Sequence, residues 1–170
     1  MRHTEALAKL KELLTTPPVL GYYSPMQTTV IQCDASSNAL GAVLLGDGRV
    51  IEYASRALTE TEQRYAQIEK ELLSIVFTLE RFRTYVYARH VIVETDHKPL
   101  LAIHKKTLAS APKRLQRMLL RLQRYDFDLE HVAGSKLILA DTLSRAHEQH
   151  SGKNDDELAA LAEEQQSDLQ

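Results

Sequence analysis

Four acidic residues stand at the margins of apolar segments. Asp34 follows the strand-like sequence VIQC, and Asp96 follows VIVET. Glu71 borders the apolar stripe of a predicted helix, and Asp141 lies three residues after Ile138 in another helical segment. A carboxylate beside a core is unfavourable unless its charge is stabilised. Because no Lys or Arg is equivalently placed nearby in sequence, we expect an external cation. All-oxygen ligation favours Mg²⁺ or Mn²⁺ over zinc.

Each of these acids also has a simpler interpretation. A single aspartate at the end of a strand is more often a cap or turn residue than a metal ligand. Periodicity alone does not bring the four acids together, and Glu69 borders the opposite side of the same helical stripe as Glu71. Cys33, the only cysteine, is predicted to be a small buried strand residue that excludes a disulfide or a thiolate zinc site.

The strand pattern predicts the framework that would position these acids. Five segments have β-strand composition: QTTVIQCDAS, ALGAVLLG, RVIEYASRAL, HVIVETD and FDLEHVA. The second and third are joined through Gly46-Asp47-Gly48, which is a strong hairpin signal. Three antiparallel strands followed by helix-connected parallel strands predict an α/β fold with a mixed five-stranded sheet.

Helical segments separate the later strands. A long helix is predicted to begin at Thr59, because Glu62 three residues later completes a capping box. Its apolar stripe, at a period of 3.6 residues, consists of Tyr65, Ile68, Leu72, Ile75, Val76, Leu79 and Phe82. A helical region follows from about residue 99 to residue 123, and LILADTLSRA forms a final helix expected to bury Leu139 and Leu143.

Composition divides the 170 residues into three parts. Residues 1–26 are predicted to be a leader helix and linker, residues 27–146 the folded domain, and residues 147–170 an acidic, flexible tail. The tail holds seven acids and one base, so the overall net charge of −2 becomes +4 without it. No apolar run approaches the ~20 residues of a membrane span. The single cysteine and the lack of a signal peptide predict an intracellular protein without a membrane partner.

A second candidate surface is basic. The segment SAPKRLQRMLLRLQRYDF predicts an amphipathic helix with a row of arginines along one face: Arg114, Arg117, Arg121 and Arg124. Lys113 precedes these arginines, and we call the five residues together the basic row. Such a row suits nucleic-acid phosphates, although a solvated face is the commoner explanation for it. His97 and Lys98, directly after Asp96, either approach a phosphate or only begin the next helix.

Four motifs in this order resemble the ribonuclease H domain of gypsy-type LTR retrotransposon reverse transcriptases. They are CDASSNALGAVL, YAQIEKELLSIVFTLERFRTYV, VIVETDHKPLLAI and FDLEHVAGSKLILADTLSRA, and the resemblance covers roughly residues 5–146. It implies a ribonuclease H-like fold and a catalytic, metal-binding set of Asp34, Glu71, Asp96 and Asp141. The register of ELLSIV selects Glu71 over Glu69.

The resemblance also implies a reaction. The domain would cut the RNA strand of RNA–DNA hybrids with two Mg²⁺ ions about 4 Å apart, or with Mn²⁺. Asp34 would bridge both ions, Asp141 would hold the one beside the attacking water, and Glu71 and Asp96 would hold the other. The implied partner is the polymerase domain of the parent polyprotein, so RNA-directed DNA polymerase activity belongs to this chain only by association.

One departure from the resemblance concerns the loop before the last helix. Bacterial and retroviral relatives carry a flexible loop with a histidine there, whereas VAGSKLILAD is short. His131 could substitute in part as an auxiliary residue, but a packing or solvent-exposed role is an equal alternative. The alternative for the whole chain is a non-catalytic hybrid-binding or connector module from a degenerate copy.

Overall fold

The computed structural model describes residues 20–104 and 111–145, with a five-stranded mixed sheet at its centre. The strands are β1 (Thr29–Ala35), β2 (Ala39–Gly46), β3 (Arg49–Ala57), β4 (His90–Thr95) and β5 (Asp126–His131). Their order across the sheet is β3-β2-β1-β4-β5. The first three strands are antiparallel, while β4 runs parallel to β1 and β5 runs parallel to β4. The predicted fold class is confirmed.

The β2–β3 hairpin forms at the predicted turn. Asp47 and Gly48 have φ angles of 47° and 76°, the left-handed pair that a two-residue type I′ turn requires. The central strands are buried because helices cover both faces of the sheet. Ile31, Cys33 and Val43 are fully buried, which confirms the structural role predicted for Cys33.

Within the described residues, six helices accompany the sheet. They are α1 (Glu60–Gln63), α2 (Gln67–Arg81), α3 (Arg83–Val86), α4 (Pro99–His104), α5 (Lys113–Leu122) and α6 (Ile138–Arg145), with a 3₁₀ turn at Gly134–Lys136. The 99–123 region is thus two helices, and residues 105–110 between them lie outside the description.

The prediction of a single long helix that begins at Thr59 is wrong. The capping box of Thr59 and Glu62 is present, but it begins only the short helix α1. The backbone N–H of Ala66 then donates to Glu69 Oε2 at 3.0 Å, which provides a second helix start three residues before that glutamate. Two start signals in succession therefore interrupt the helix at Arg64–Ala66. Tyr65 lies in this break.

Helices α2 and α6 cover opposite faces of the sheet. Cys33 is close to Ser74 of α2, whereas its neighbour Asp34 bonds Ser144 of α6. Successive residues of a strand point to opposite faces, so the two helices must lie on different sides. Helix α5 packs beside α2 through its buried residues Leu115, Met118, Leu119 and Leu122.

Several predictions concern segments outside the described residues. These segments are most of the predicted leader (residues 1–19) and the acidic tail (residues 147–170). The end of the leader is described: the Tyr23 hydroxyl donates to the Tyr85 carbonyl at 2.8 Å, while Tyr22 is 98% exposed. Among the described residues, no helix is long and apolar enough to cross a membrane.

Candidate metal and nucleic-acid site

The parallel pairing of β1 and β4 brings Asp34 and Asp96 together. The register places Gln32 opposite Glu94. Asp34 lies two residues farther along β1, and Asp96 lies two residues farther along the chain, directly after the end of β4. Because side chains repeat on the same face every second residue, both carboxylates project from the same face at the same end of the sheet. This end is where α/β sheets place ligands.

Glu71 reaches this end of the sheet from α2. The Gln67 side-chain amide, one helical turn earlier, donates to the Ala35 carbonyl at 3.2 Å and to Glu71 Oε1 at 2.7 Å. These bonds fix the first turns of α2 beside the end of β1. One carboxylate oxygen each from Asp34, Glu71 and Asp96 lies within 4.8 Å of the others. We call these three residues the acidic cluster.

Burial and mutual repulsion make the acidic cluster electrostatically unfavourable. Burial, followed by the negative charges of Asp34 and Asp96, raises the pKa of Glu71 to about 8, although the Gln67 bond opposes this shift. Burial also raises the pKa of Asp34, and the charges of Asp141 and Asp96 add to the rise. Burial and the neighbouring negative charges therefore favour the protonated forms of Glu71 and Asp34.

The donor chemistry of the cluster fits a divalent cation. Glu71 is only 3% exposed, and its Oε2 atom is buried without a hydrogen-bond partner. A buried carboxylate oxygen that accepts nothing is energetically unfavourable, and a cation would satisfy it. All three residues offer oxygen, which hard ions such as Mg²⁺ and Mn²⁺ prefer.

Asp141 is not part of the acidic cluster. Its Oδ1 atom accepts from Arg145 Nε at 2.7 Å, one helical turn later in α6. The expectation that no Lys or Arg is equivalently placed nearby in sequence is wrong for Asp141, because Arg145 lies four residues later on the same helix. Asp141 is nevertheless near enough to Asp34 for its charge to raise the pKa of that aspartate, so it borders the cluster.

Sequence reasoning missed Ser144. Its hydroxyl donates to Asp34 Oδ2 at 2.5 Å, and its side chain is completely buried. The inward face of α6 consists of Ala140 and Ser144, whereas Leu139 and Leu143, which were expected to be buried, are only partly so. The available signal was the four-residue spacing of two small residues in ADTLS, which marks a close helix contact.

The loop between β5 and α6 borders the cluster from another side. A Cβ atom at Gly134 would lie 3.2 Å from Asp96 Oδ2, so the backbone of this short turn closely approaches the carboxylate. His131 is exposed at the end of β5. In the sheet it pairs with Thr95, the residue directly before Asp96. No contact of His131 with the acidic cluster is seen in the described part of the chain.

The predicted basic row divides into two groups. Arg114 binds both oxygens of Glu69 at 2.8–3.0 Å and lies 4.1 Å from the ring centroid of Tyr65. Arg121 binds both oxygens of Glu80 at 2.6–2.9 Å. These two arginines hold α5 against α2, a structural role that the one-dimensional pattern did not reveal.

All five residues of the row are exposed, and the other three differ from Arg114 and Arg121 in their lack of ion pairs among the described residues. Lys113, Arg117 and Arg124 have no ion pair within residues 20–104 and 111–145. Lys113 and Arg117 line an open cavity of about 380 Å³ between α2 and α5. The carbonyls of His97 and Lys98 accept from Leu100 and Leu101, respectively, so both residues begin the α4 turn.

Comparison with known sequences identifies relatives among polyproteins. The family described as "RNase H-like domain found in reverse transcriptase" matches residues 24–125. The retrovirus-related Pol polyprotein from transposon 297 of Drosophila melanogaster is 38% identical over 145 residues, which are 85% of this chain and 14% of the polyprotein. The enzymatic polyprotein of carnation etched ring virus is 32% identical over 146 residues, which are 82% of this chain and 22% of that protein. The chain thus spans less than a quarter of each of these relatives.

Solved structures share the fold at lower identity. RNase H1 from the archaeon Halobacterium salinarum is 19% identical with a TM-score of 0.55, covering 72% of this chain and 98% of that one. A foamy viral protease-reverse transcriptase in complex with an RNA/DNA hybrid is 20% identical with a TM-score of 0.57, covering 77% of this chain and 19% of that one. The family match and the identity to the transposon polyproteins show that the chain belongs to the family of RNase H-like domains found in reverse transcriptase, in the Pol polyproteins of transposons.

Proposed function

We propose that this domain hydrolyses the RNA strand of RNA–DNA hybrids with divalent metal ions. The observation that carries the proposal is the acidic cluster, where Asp34, Glu71 and Asp96 converge from β1, α2 and β4. A structural role alone gives no reason to keep three carboxylates within 4.8 Å of one another with Glu71 Oε2 unsatisfied.

Divalent ions, when bound, would activate the attacking water and stabilise the departing 3′ oxygen of the RNA strand. The chain's own residues would hold those ions. Asp34 would be the central ligand, because it is close to Glu71, Asp96 and Asp141. Asp141 would join after its Oδ1 atom exchanges the Arg145 guanidinium for an ion, and this exchange would complete the predicted set of four acids.

The substrate surface would include Lys113, Arg117 and Arg124 of the basic row. These three residues have no ion pair with the described part of the chain to lose when they approach phosphates, whereas Arg114 and Arg121 are already paired with α2. Contacts of this kind depend on charge and not on base sequence, so binding should weaken as salt rises. His97 and Lys98 remain weaker candidates, and His131 remains a possible auxiliary residue.

We further propose a parent protein of the gypsy-type LTR retrotransposon class. The four sequence motifs and the transposon polyprotein relatives support this assignment. The partner would then be the polymerase domain of the same polyprotein, which supplies RNA-directed DNA synthesis while this domain removes the RNA template.

The test is cleavage of a labelled RNA–DNA hybrid by the 170-residue chain in Mg²⁺, with Mn²⁺ in parallel. The variant Asp96→Asn keeps the side-chain shape and removes one charge from the cluster, so cleavage should fall at least about 100-fold. The matched control is Glu94→Gln, on the same strand but outside the cluster, where the side chain accepts from Gln32. This control should cleave normally.

The alternative is a hybrid-binding or connector module without catalysis, and the Asp141–Arg145 ion pair is the observation that favours it. Binding of hybrid without cleavage by wild-type protein in either metal would support this alternative and contradict the nuclease proposal. Equal cleavage by wild type and Asp96→Asn would show a contaminating nuclease or a different site.

A further inference from the structure

We propose that Ser144 is a positioning residue that fixes the orientation of the Asp34 carboxylate for metal binding. Its hydroxyl donates to Asp34 Oδ2 at 2.5 Å from a completely buried position. Asp34 itself is 7% exposed, so water has little access to replace this donor. The inference rests on the proposed metal-dependent function and adds to it a neutral residue on α6.

The hydroxyl of Ser144 has two acceptors within reach but only one proton to donate. The Asp141 carbonyl lies 2.9 Å away, and Asp34 Oδ2 lies at 2.5 Å. A hydrogen bond to a carboxylate is shorter and stronger than one to a neutral carbonyl, so the proton belongs on the Asp34 side. This bond occupies Oδ2. Within residues 20–104 and 111–145 no hydrogen bond is made to Oδ1, so this oxygen can bind a metal ion without losing a contact to those residues.

The position of Ser144 is set by the packing of α6 and not by Asp34 alone. Gly41 lies opposite Asp34 in the sheet, and a Cβ atom there would be 2.1 Å from the Ala140 carbonyl oxygen and 2.6 Å from the Ser144 nitrogen. Only a glycine therefore allows α6 to approach β2 this closely.

Two further serines hold the C-terminal end of α6. The Ser36 hydroxyl donates to the Ser144 carbonyl at 2.6 Å, and the Ser55 hydroxyl donates to the Leu143 carbonyl at 3.1 Å. These bonds satisfy carbonyls that the end of a helix leaves without partners. The Ser144 hydroxyl is thus held in place before any ion arrives.

Loss of this donor should weaken metal binding more than folding. Partners that orient a metal ligand typically change metal affinity by about 10-fold to 100-fold when removed. In Ser144→Ala, the Asp34 carboxylate can rotate and lose the fixed arrangement with Glu71 and Asp96. We expect the Kd for Mn²⁺ to rise about tenfold. The same shift should appear in the Mg²⁺ concentration that half-saturates cleavage, with kcat largely restored at saturating ion.

The experiment is isothermal titration calorimetry, in which Mn²⁺ alone is titrated into the 170-residue chain without substrate. Ser55→Ala is the matched control, because it removes a bond to α6 without touching a carboxylate. It should bind Mn²⁺ as wild type does, because the Ser36 bond and the close Gly41 contact still hold α6 in place. Ser144→Thr retains a hydroxyl and should recover tighter binding than Ser144→Ala, and thermal unfolding in chelator verifies that each variant is folded.

The outcomes separate the two proposals. If wild type binds Mn²⁺ and cuts hybrid while Ser144→Ala binds Mn²⁺ equally tightly, the positioning role is wrong and the nuclease proposal stands. The same conclusion follows if Ser55→Ala weakens binding as much as Ser144→Ala, since that result indicates a general loosening of α6. If wild type neither binds Mn²⁺ nor cleaves, both proposals fail.

Discussion

At the scale of single residues, folding strongly alters the acid–base chemistry of Glu71. Its pKa rises from an ordinary value of 4.5 to about 8, mainly because of burial and then because of the charge of Asp34. The folded protein consequently retains a proton that the unfolded chain has already released. Stability from this protonated form is fully present below pH 4.5 and is lost as the pH rises through about 8.

The variant Glu71→Gln tests this linkage, because glutamine resembles the protonated carboxyl and cannot ionise. In chelator, the variant should match wild type in free energy of unfolding below pH 4.5 and should become progressively more stable than wild type toward pH 8. A gain of at least about 1 kcal/mol at pH 8 is expected, since each pKa unit corresponds to roughly 1.4 kcal/mol. Urea denaturation across this pH range measures it.

The matched control for this prediction is Glu69→Gln on the same helix. Glu69 is held by Arg114 outside the acidic cluster, so its replacement should give no gain that grows with pH. Addition of Mn²⁺ at pH 8 should stabilise wild type and not Glu71→Gln, because the ion replaces the missing counter-charge. A wild-type protein equally stable to Glu71→Gln at every pH would contradict the buried, proton-retaining state of Glu71.

At the scale of elements, the contact between α6 and β2 depends on Gly41. A Cβ atom at this position would fall 2.1 Å from the Ala140 carbonyl, which is backbone and cannot swing aside. Gly41→Ala should therefore displace α6, lower the free energy of unfolding by about 1–3 kcal/mol and weaken Mn²⁺ binding by moving Ser144. Urea denaturation and calorimetry measure the two effects.

Gly48→Ala separates these effects. Gly48 has a φ of 76° in the hairpin turn with open space around it, so alanine there strains the backbone without a clash. It should lower stability and leave Mn²⁺ affinity unchanged. If Gly41→Ala also left Mn²⁺ affinity unchanged, the link between α6 packing and the acidic cluster would be wrong.

Helix α5 carries arginines with two different tasks, which a pair of variants can distinguish. Arg121 makes a bidentate ion pair with Glu80, so Arg121→Ala should lower stability by up to about 1 kcal/mol with little effect on hybrid affinity. Arg117 has no such pair in the described part of the chain. Arg117→Ala should keep its stability, bind hybrid more weakly and reduce the salt slope by about 1.

Fluorescence anisotropy with a labelled hybrid in Ca²⁺, over a series of salt concentrations, measures the affinity and the slope together. The Arg124→Ala variant removes another exposed cation. The salt slope of its hybrid binding should fall in the same way as that of Arg117→Ala. Equal losses of hybrid affinity in Arg117→Ala and Arg121→Ala would contradict the division of tasks along α5.

At the scale of the whole molecule, local patterns predicted the sheet, and long-range contacts decided the details of the site. The type I′ hairpin and the five strands follow from short-range signals that tertiary packing did not override. The prediction that Asp34 and Asp96 lie together at the carboxyl ends of β1 and β4 is confirmed. Ser144 bonds a residue 110 positions away, so no local pattern could reveal its partner. The break before α2 was missed because the apolar residues keep the same helical period from Tyr65, within the break, through α2, although each of the two helices has its own start signal.

The distribution of charge is a property of the whole chain and yields the last prediction. Residues 147–170 carry seven acids and one base, and without them the net charge changes from −2 to +4. A chain ending at residue 146 should bind RNA–DNA hybrid more tightly at low salt, because long-range repulsion of phosphates decreases. The gain should vanish as salt shortens the Debye length to about 8 Å near 0.15 M. A full-length variant with those seven acids replaced by their amides should behave like the shortened chain. If the shortened chain gained affinity and the amide variant did not, bulk and not charge would be the cause.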